Sequence, residues 1–282
     1  MKPRARVPRQ DYSETMRSSA LTFLSLFLAL SVGAPAQTKS DLTPAQIEQV
    51  IQKFAANESA FAKAREVYTY RQTARIQVLD DAGTPREKWE TVSDIVFSGE
   101  GKRTERVVRA PVSTLESITM TPEDLQDMQS VQPFVLTTGE LSKYKIRYLG
   151  RQKVDEIDCY VFAVKPVTME AKQRYFMGQV WVDERDLLIV KSYGRAFGLA
   201  NRDKDNQSPK FETYREQIDG KFWFPTYTIA NDTLHFNSGQ DVRIRQTIRY
   251  EDYKQFGTET KIIFGDEVKE EPKPAQQPPA RK

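Results

Sequence analysis

From Val242 to Tyr250 the chain alternates, with Val242, Ile244, Ile248 and Tyr250 on one side and Arg243, Arg245, Thr247 and Arg249 on the other. A two-residue period turns one face of an extended strand to a core and the other to water. A slip of one residue would invert both faces, so the register is strongly specified. The same pattern appears much earlier, where Tyr68, Tyr70, Ala74, Ile76 and Val78 alternate with Arg71, Thr73, Arg75 and Gln77. Turns at Asp81-Ala82-Gly83 and Gly99-Glu100-Gly101 lead into strands over 88–98 and 103–109, which predicts a three-strand meander. Further strands are expected over 144–149, 157–164, 179–183, 187–193, 211–218 and 222–229. The fold class is therefore mainly β, an antiparallel sheet with few helices.

Two segments break the alternation. Thr43-Pro44-Ala45-Gln46 writes a capping box with proline at the first helical position, and Ile47, Val50, Ile51, Phe54 and Phe61 follow at helical spacing. That helix must lie on something apolar. Over 110–142 alternation stops again, and Thr121-Pro122-Glu123-Asp124 marks a second helix start before Leu125 and Met128. Helices and loops here are placed to cover one opening of the sheet.

The first 36 residues read as an export signal. Arg17 precedes the apolar run Ala20–Leu30, and Ala34-Pro35-Ala36 is a small-x-small cleavage pattern. Cleavage after Ala36 would leave Gln37 first. The apolar run is short for a bilayer span of about 20 residues, and no cysteine follows it to carry a lipid, so the expected location is periplasmic or secreted, with no membrane span in the mature chain. The chain carries 42 Lys+Arg against 39 Asp+Glu. Lys2, Arg4, Arg6, Arg9 and Arg17 leave with the signal, against Asp11 and Glu14, so the mature chain is neutral and has no global field for nucleic acid. Cys159 is the single cysteine, which excludes an intramolecular disulfide and reads as a buried thiol. From Gly265 onward Glu, Lys, Gln and Pro dominate and little can be buried. The expected organisation is a signal over 1–36, one β domain over 37–264 and a disordered charged tail over 265–282.

Motifs for chemistry are weak. His235 is the only histidine, which excludes two-histidine metal sites and His-paired nucleophiles with a histidine to spare. Gly99-Glu100-Gly101-Lys102 lacks the glycine of a phosphate cradle, and Asp203-Lys204-Asp205-Asn206 lacks the glycine and glutamate of a calcium loop. No catalytic residue, metal ligand or cofactor is assigned. The apolar evidence is more coherent. Tyr68 and Tyr70, then Trp89, Ile95 and Phe97, then Tyr160 and Phe162, together with Trp181, Ile244 and Ile248, fall on strand faces that a ligand cavity in a curved sheet would present. The competing reading is that the same residues simply fill a core. Arg71, Arg75, Arg243, Arg245 and Arg249 read as a solvated strand face.

The stretch from Tyr175 to Lys191, with Trp181-Val182-Asp183, a polar turn and a returning aliphatic strand, resembles the LolA/LolB-like family of outer-membrane lipoprotein-sorting proteins. Phe211–Arg215 followed by Asp219–Pro225 resembles a later hairpin of such proteins, and the resemblance covers roughly residues 41–264. It implies an incomplete antiparallel β-barrel, a helical lid, a hydrophobic cavity for acyl chains and no catalysis. The chain departs from the family in lacking a lipid-attachment cysteine and in carrying a Pro-rich C-terminal extension. The expected function is a non-enzymatic periplasmic carrier or sensor of an acyl chain or lipoprotein. Its competitor is an envelope module with a filled core that binds a protein partner, and an uncharacterised hydrolase ranks last.

Overall fold

The computed structural model describes residues 41–97, 102–167, 169–170, 173–198 and 207–256. The expected signal, its cleavage site and the expected tail lie outside these residues.

The architecture is mainly β. Among the described residues, ten strands form one antiparallel sheet: β1 Tyr68–Leu79, β2 Pro85–Phe97, β3 Arg103–Ser113, β4 Tyr144–Val154, β5 Ile157–Pro166, β6 Tyr175–Asp183, β7 Ile189–Phe197, β8 Phe211–Ile218, β9 Phe222–His235 and β10 Asp241–Gln255. Their order is β3-β2-β1-β10-β9-β8-β7-β6-β5-β4, so two meanders are joined by pairing β1 with β10. The edge strands β3 and β4 do not pair with each other, which leaves the barrel incomplete. Register shifts interrupt six of the nine ladders; at the one between Tyr148 and Gly150, Gly150 sits at φ 117°, a conformation open to glycine. Such bulges bend a strand and add twist, which curves the sheet.

Several strands are longer than alternation alone indicates, β3, β6 and β9 among them. The β3 strand runs past Arg109 through Pro111, which an edge strand tolerates because one side of its backbone has no partner to bond. The β6 strand starts at Tyr175 rather than 179, because Tyr175 and Phe176 are both buried and break the two-residue pattern. The β9 strand continues to His235 through the polar Asn231-Asp232 pair, held by full pairing to β10.

The first helix, α1, spans Pro44–Ala64 and starts as the sequence dictates. Thr43 Oγ1 accepts from Gln46 N at 3.3 Å, and Thr43 N donates to Gln46 Oε1 at 2.8 Å. Its apolar stripe packs on one face of the sheet, with Ile51 and Phe54 in a cluster that includes Phe162, Phe176, Val180, Val182 and Phe211. The connection 114–143 must travel from one sheet edge to the other. At about 4.8 Å between strands that is about 40 Å along a flat sheet. It crosses over the same face as α1. Met128 joins Ala74, Ile76, Trp89 and Ile248, and Val131, Phe134 and Leu136 join the cluster around Phe54. A short helix, α2 (Pro122–Gln126), capped by Thr121 and Asp124, and a wide turn over Asp127–Val131 give this segment its shape.

Candidate functional site

The end of α1 builds one wall of a cavity. The helix passes through the tight turn Arg65–Val67 straight into β1, so Phe61, Arg65 and Tyr68 follow one another onto the sheet face. Aromatic rings continue the wall. Phe61 meets Phe224 edge-on at 5.1 Å, Phe224 lies 4.7 Å from Tyr68 and 4.9 Å from Tyr253, and Tyr70 lies 5.1 Å from Tyr253. Such tilted contacts stabilise beyond the area they bury, by roughly 0.5–1.5 kcal/mol a pair. The opposite side comes from Phe97 and Arg103 at the β2–β3 end and from Gln129, Pro133 and Val135 of the crossing segment. These walls enclose a cavity of about 480 Å³, within the range of small-ligand sites.

Polar groups share this cavity with the aromatic wall, among them Arg65, Arg103, Gln126, Gln129, Thr137 and Glu140. Tyr68 donates its hydroxyl to Asp219 Oδ2 at 2.8 Å, and Tyr253 donates to the Pro225 carbonyl at 2.6 Å. Burial pushes the Tyr253 hydroxyl well above the ordinary tyrosine pKa, so it stays a neutral donor. Arg103 donates to Glu105 Oε2 at 3.2 Å and to Gln72 Oε1 at 3.3 Å. Arg65 stands 6.0 Å from the Phe61 ring centroid and 5.9 Å from that of Phe97.

Of the residues singled out in sequence, Tyr68, Tyr70 and Phe97 line this cavity. Trp89 and Ile248 are buried together with Ala74 and Ile76. Ile244 packs with Val78, Leu234 and Val242 and borders a second, smaller cavity of about 80 Å³. Ile95 is fully buried opposite Tyr70. Phe162 sits in the core against Phe54, with ring centroids 5.3 Å apart, and Tyr160 packs at that cluster's margin under the Arg151 guanidinium. Trp181 is not brought to the others. It falls between Val180 and Val182, which face α1, so it points to the other side of the sheet. There it packs with Cys159, Val161 and Val190 and donates Nε1 to Gln152 at 3.0 Å.

Sequence reasoning missed Arg65, Arg103 and Tyr253 as lining residues. A signal existed in α1: Ile51, Phe54, Glu58, Phe61 and Arg65 continue one stripe at spacings of three and four, so two charged residues share the buried face.

On the remaining chemistry, Cys159 is buried, and desolvation pushes its thiol pKa up to about 12. His235 is exposed, with Nδ1 at hydrogen-bond distance, 2.7 Å, from Asp241 Oδ1. Arg71 and Arg75 pair with Asp94 and Glu90 on the wet face of the sheet. Among the described residues, no helix is long and apolar enough to cross a membrane.

No protein-family model and no curated protein matches the chain. Solved structures do. A LolA superfamily protein from Nitrosomonas europaea is 14% identical over 74% of this chain and 93% of its own, at a TM-score of 0.33. A DUF1329 family protein from Desulfovibrio piger is 13% identical over 72% and 92%, at 0.37. MucB is 13% identical over 73% and 93%, at 0.26. The resemblance drawn from the Trp181 hairpin thus has a LolA superfamily structure among the chain's structural matches.

Proposed function

We propose that this chain is a non-enzymatic periplasmic carrier or sensor that takes an acyl chain or lipoprotein in the cavity between the end of α1, β1, β2 and the crossing segment. The observation that carries this reading is the cavity itself: about 480 Å³ left unfilled beside an aromatic wall, on a face whose other half is packed solid around Phe54 and Phe162. Apolar walls with a few directed polar groups are what such ligands need. The amino-terminal segment supports export, with cleavage after Ala36 and a soluble product.

Titration with a fluorescent acyl probe tests the reading. Saturable binding is expected for the wild type. Ala62 lines the cavity from α1, so Ala62→Phe should narrow the space and weaken binding while the helix persists. Trp181→Phe, on the other face of the sheet, should leave binding unchanged. Absence of saturable binding by the folded wild type overturns the proposal.

One observation favours the second reading, an envelope module that binds a protein. The edge strand β3 exposes Val107, Val108 and Val112, each about half accessible, and an edge with apolar side chains can accept an added strand.

A further inference from the structure

Burying a cation without a partner is costly, and Arg65 is such a cation at the cavity wall. Its Nε is buried with no hydrogen-bond partner, and among the described residues its guanidinium forms no ion pair. The carboxylates near it have partners of their own. Glu58 is taken up by Arg215 at 3.0 Å, and Glu105 by Arg103, Ser93 and Gln129 at 3.2, 2.7 and 3.1 Å. Glu140, the carboxylate among the lining residues, accepts from Thr137 Oγ1 at 3.4 Å. Arg103 reaches the same cavity with its own Nε buried and unpartnered. Burial, the largest cause, lowers the Arg65 pKa from the ordinary arginine value, and repulsion from Arg215 adds to it, while Tyr70 and Glu58 offset part of the shift. The rings of Phe61 and Phe97 flank the guanidinium and offset part of that cost.

We propose that Arg65, assisted by Arg103, is an anion subsite of the aromatic cavity, so that the ligand is an amphiphile bearing a carboxylate or phosphate beside its apolar chain. This rests on the reading of the cavity as the ligand site and narrows it. A planar guanidinium fork binds either oxyanion through paired, charge-assisted hydrogen bonds. The apolar chain then lies along the ring wall of Phe224, Tyr253 and Tyr70. A neutral ligand of the same length would fill the walls and leave Arg65 unpaired.

Isothermal titration of the exported protein with palmitate, palmitoyl lysophosphatidate and hexadecanol, each below its micelle concentration, tests this. At least one anionic amphiphile should bind about tenfold more tightly than the neutral alcohol, the gain of a charge-assisted pair. Which of the two binds better separates a carboxylate from a phosphate head. In Arg65→Gln the preference should fall to about unity while hexadecanol binding persists. Should that variant not fold, Arg65→Lys decides: keeping the charge but losing the planar fork should lower the preference severalfold. Equal binding of all three by the wild type overturns the anion subsite and leaves the carrier reading standing. An unchanged preference in either folded variant also overturns it. Binding of none overturns both.

Discussion

Glu58 and Arg215 close a buried ion pair at 3.0 Å across 157 positions of sequence, with side-chain exposures of 0% and 2%. The pair is tied into the backbone on both sides. Glu58 Oε1 also accepts from Ile189 N at 3.0 Å, and Arg215 Nη2 donates to the Phe134 carbonyl. One interaction therefore joins the middle of α1, the start of β7, β8 and the crossing segment. Arg215 also stands 5.0 Å from the Phe61 ring, so the neutralised arginine and the unpaired Arg65 share an aromatic neighbour.

Removing one partner should strand the other charge in the core. Arg215→Met is expected to cost about 3–5 kcal/mol, and Glu58→Gln a similar amount. The double replacement Glu58→Leu with Arg215→Met should recover part of the loss. Recovery stays incomplete because Ile189 N and the Phe134 carbonyl each lose a bond. Urea unfolding of the two single variants and the double variant measures this, and additive losses would show that the pair is not coupled.

Gly178 and Gly194 face each other across β6 and β7, and the ring of Phe176 lies on them. A Cβ on Gly178 would stand 2.1 Å from the Tyr193 carbonyl oxygen, and one on Gly194 would stand 2.4 Å from that of Met177. Backbone atoms cannot yield as a flexible side chain can. Either glycine-to-alanine change should destabilise by at least about 1–3 kcal/mol through overpacking. Thermal melts check this, with a fall of several degrees expected.

Most of the fold was legible because it is built on two periodicities. Val242–Tyr250 alternates cleanly and forms the middle of β10, while Thr43–Gln46 caps α1 as written. What was not legible depends on pairing between distant strands. The β1–β10 ladder follows from no local pattern, and it brings Tyr70 beside Tyr253 and Tyr68 beside Phe224 across β10. Face assignment within the second meander also needed the register. In β5 and β6 both faces are buried, Phe162 and Val180 under α1 and Val161 and Trp181 beneath, so alternation of polarity cannot say which side carries a cavity.

Cys159 should behave as an inert core residue. Its pKa is raised to about 12, chiefly by burial, so the neutral thiol is favoured in the folded chain relative to an unfolded thiol near 8.5. The sign follows: this contribution to stability is fully present below the unfolded value and is lost as pH rises from there toward 12. A thiol reagent at pH 8 should react slowly with the native protein and fast in denaturant. Rapid reaction of the native form would contradict the burial.

The crossing segment should control how fast a ligand leaves. It is pinned to the sheet by Asp127, which accepts from Arg174 at 2.8 and 2.6 Å, and by Gln132, whose amide exchanges bonds of 3.2 and 3.0 Å with Gln246. Gln129, Ser130 and Pro133 of the same stretch line the cavity. Replacing Gln132 by alanine leaves the buried Gln246 amide unsatisfied, at a cost of about 1–3 kcal/mol, and loosens this stretch locally. Limited proteolysis should then cut within 114–143 sooner than in the wild type. Stopped-flow displacement of an acyl probe should show dissociation several times faster, with association little changed, because the walls of the cavity remain. Faster proteolysis with an unaltered dissociation rate would mean that the ligand leaves by another route and that the segment is a structural strap.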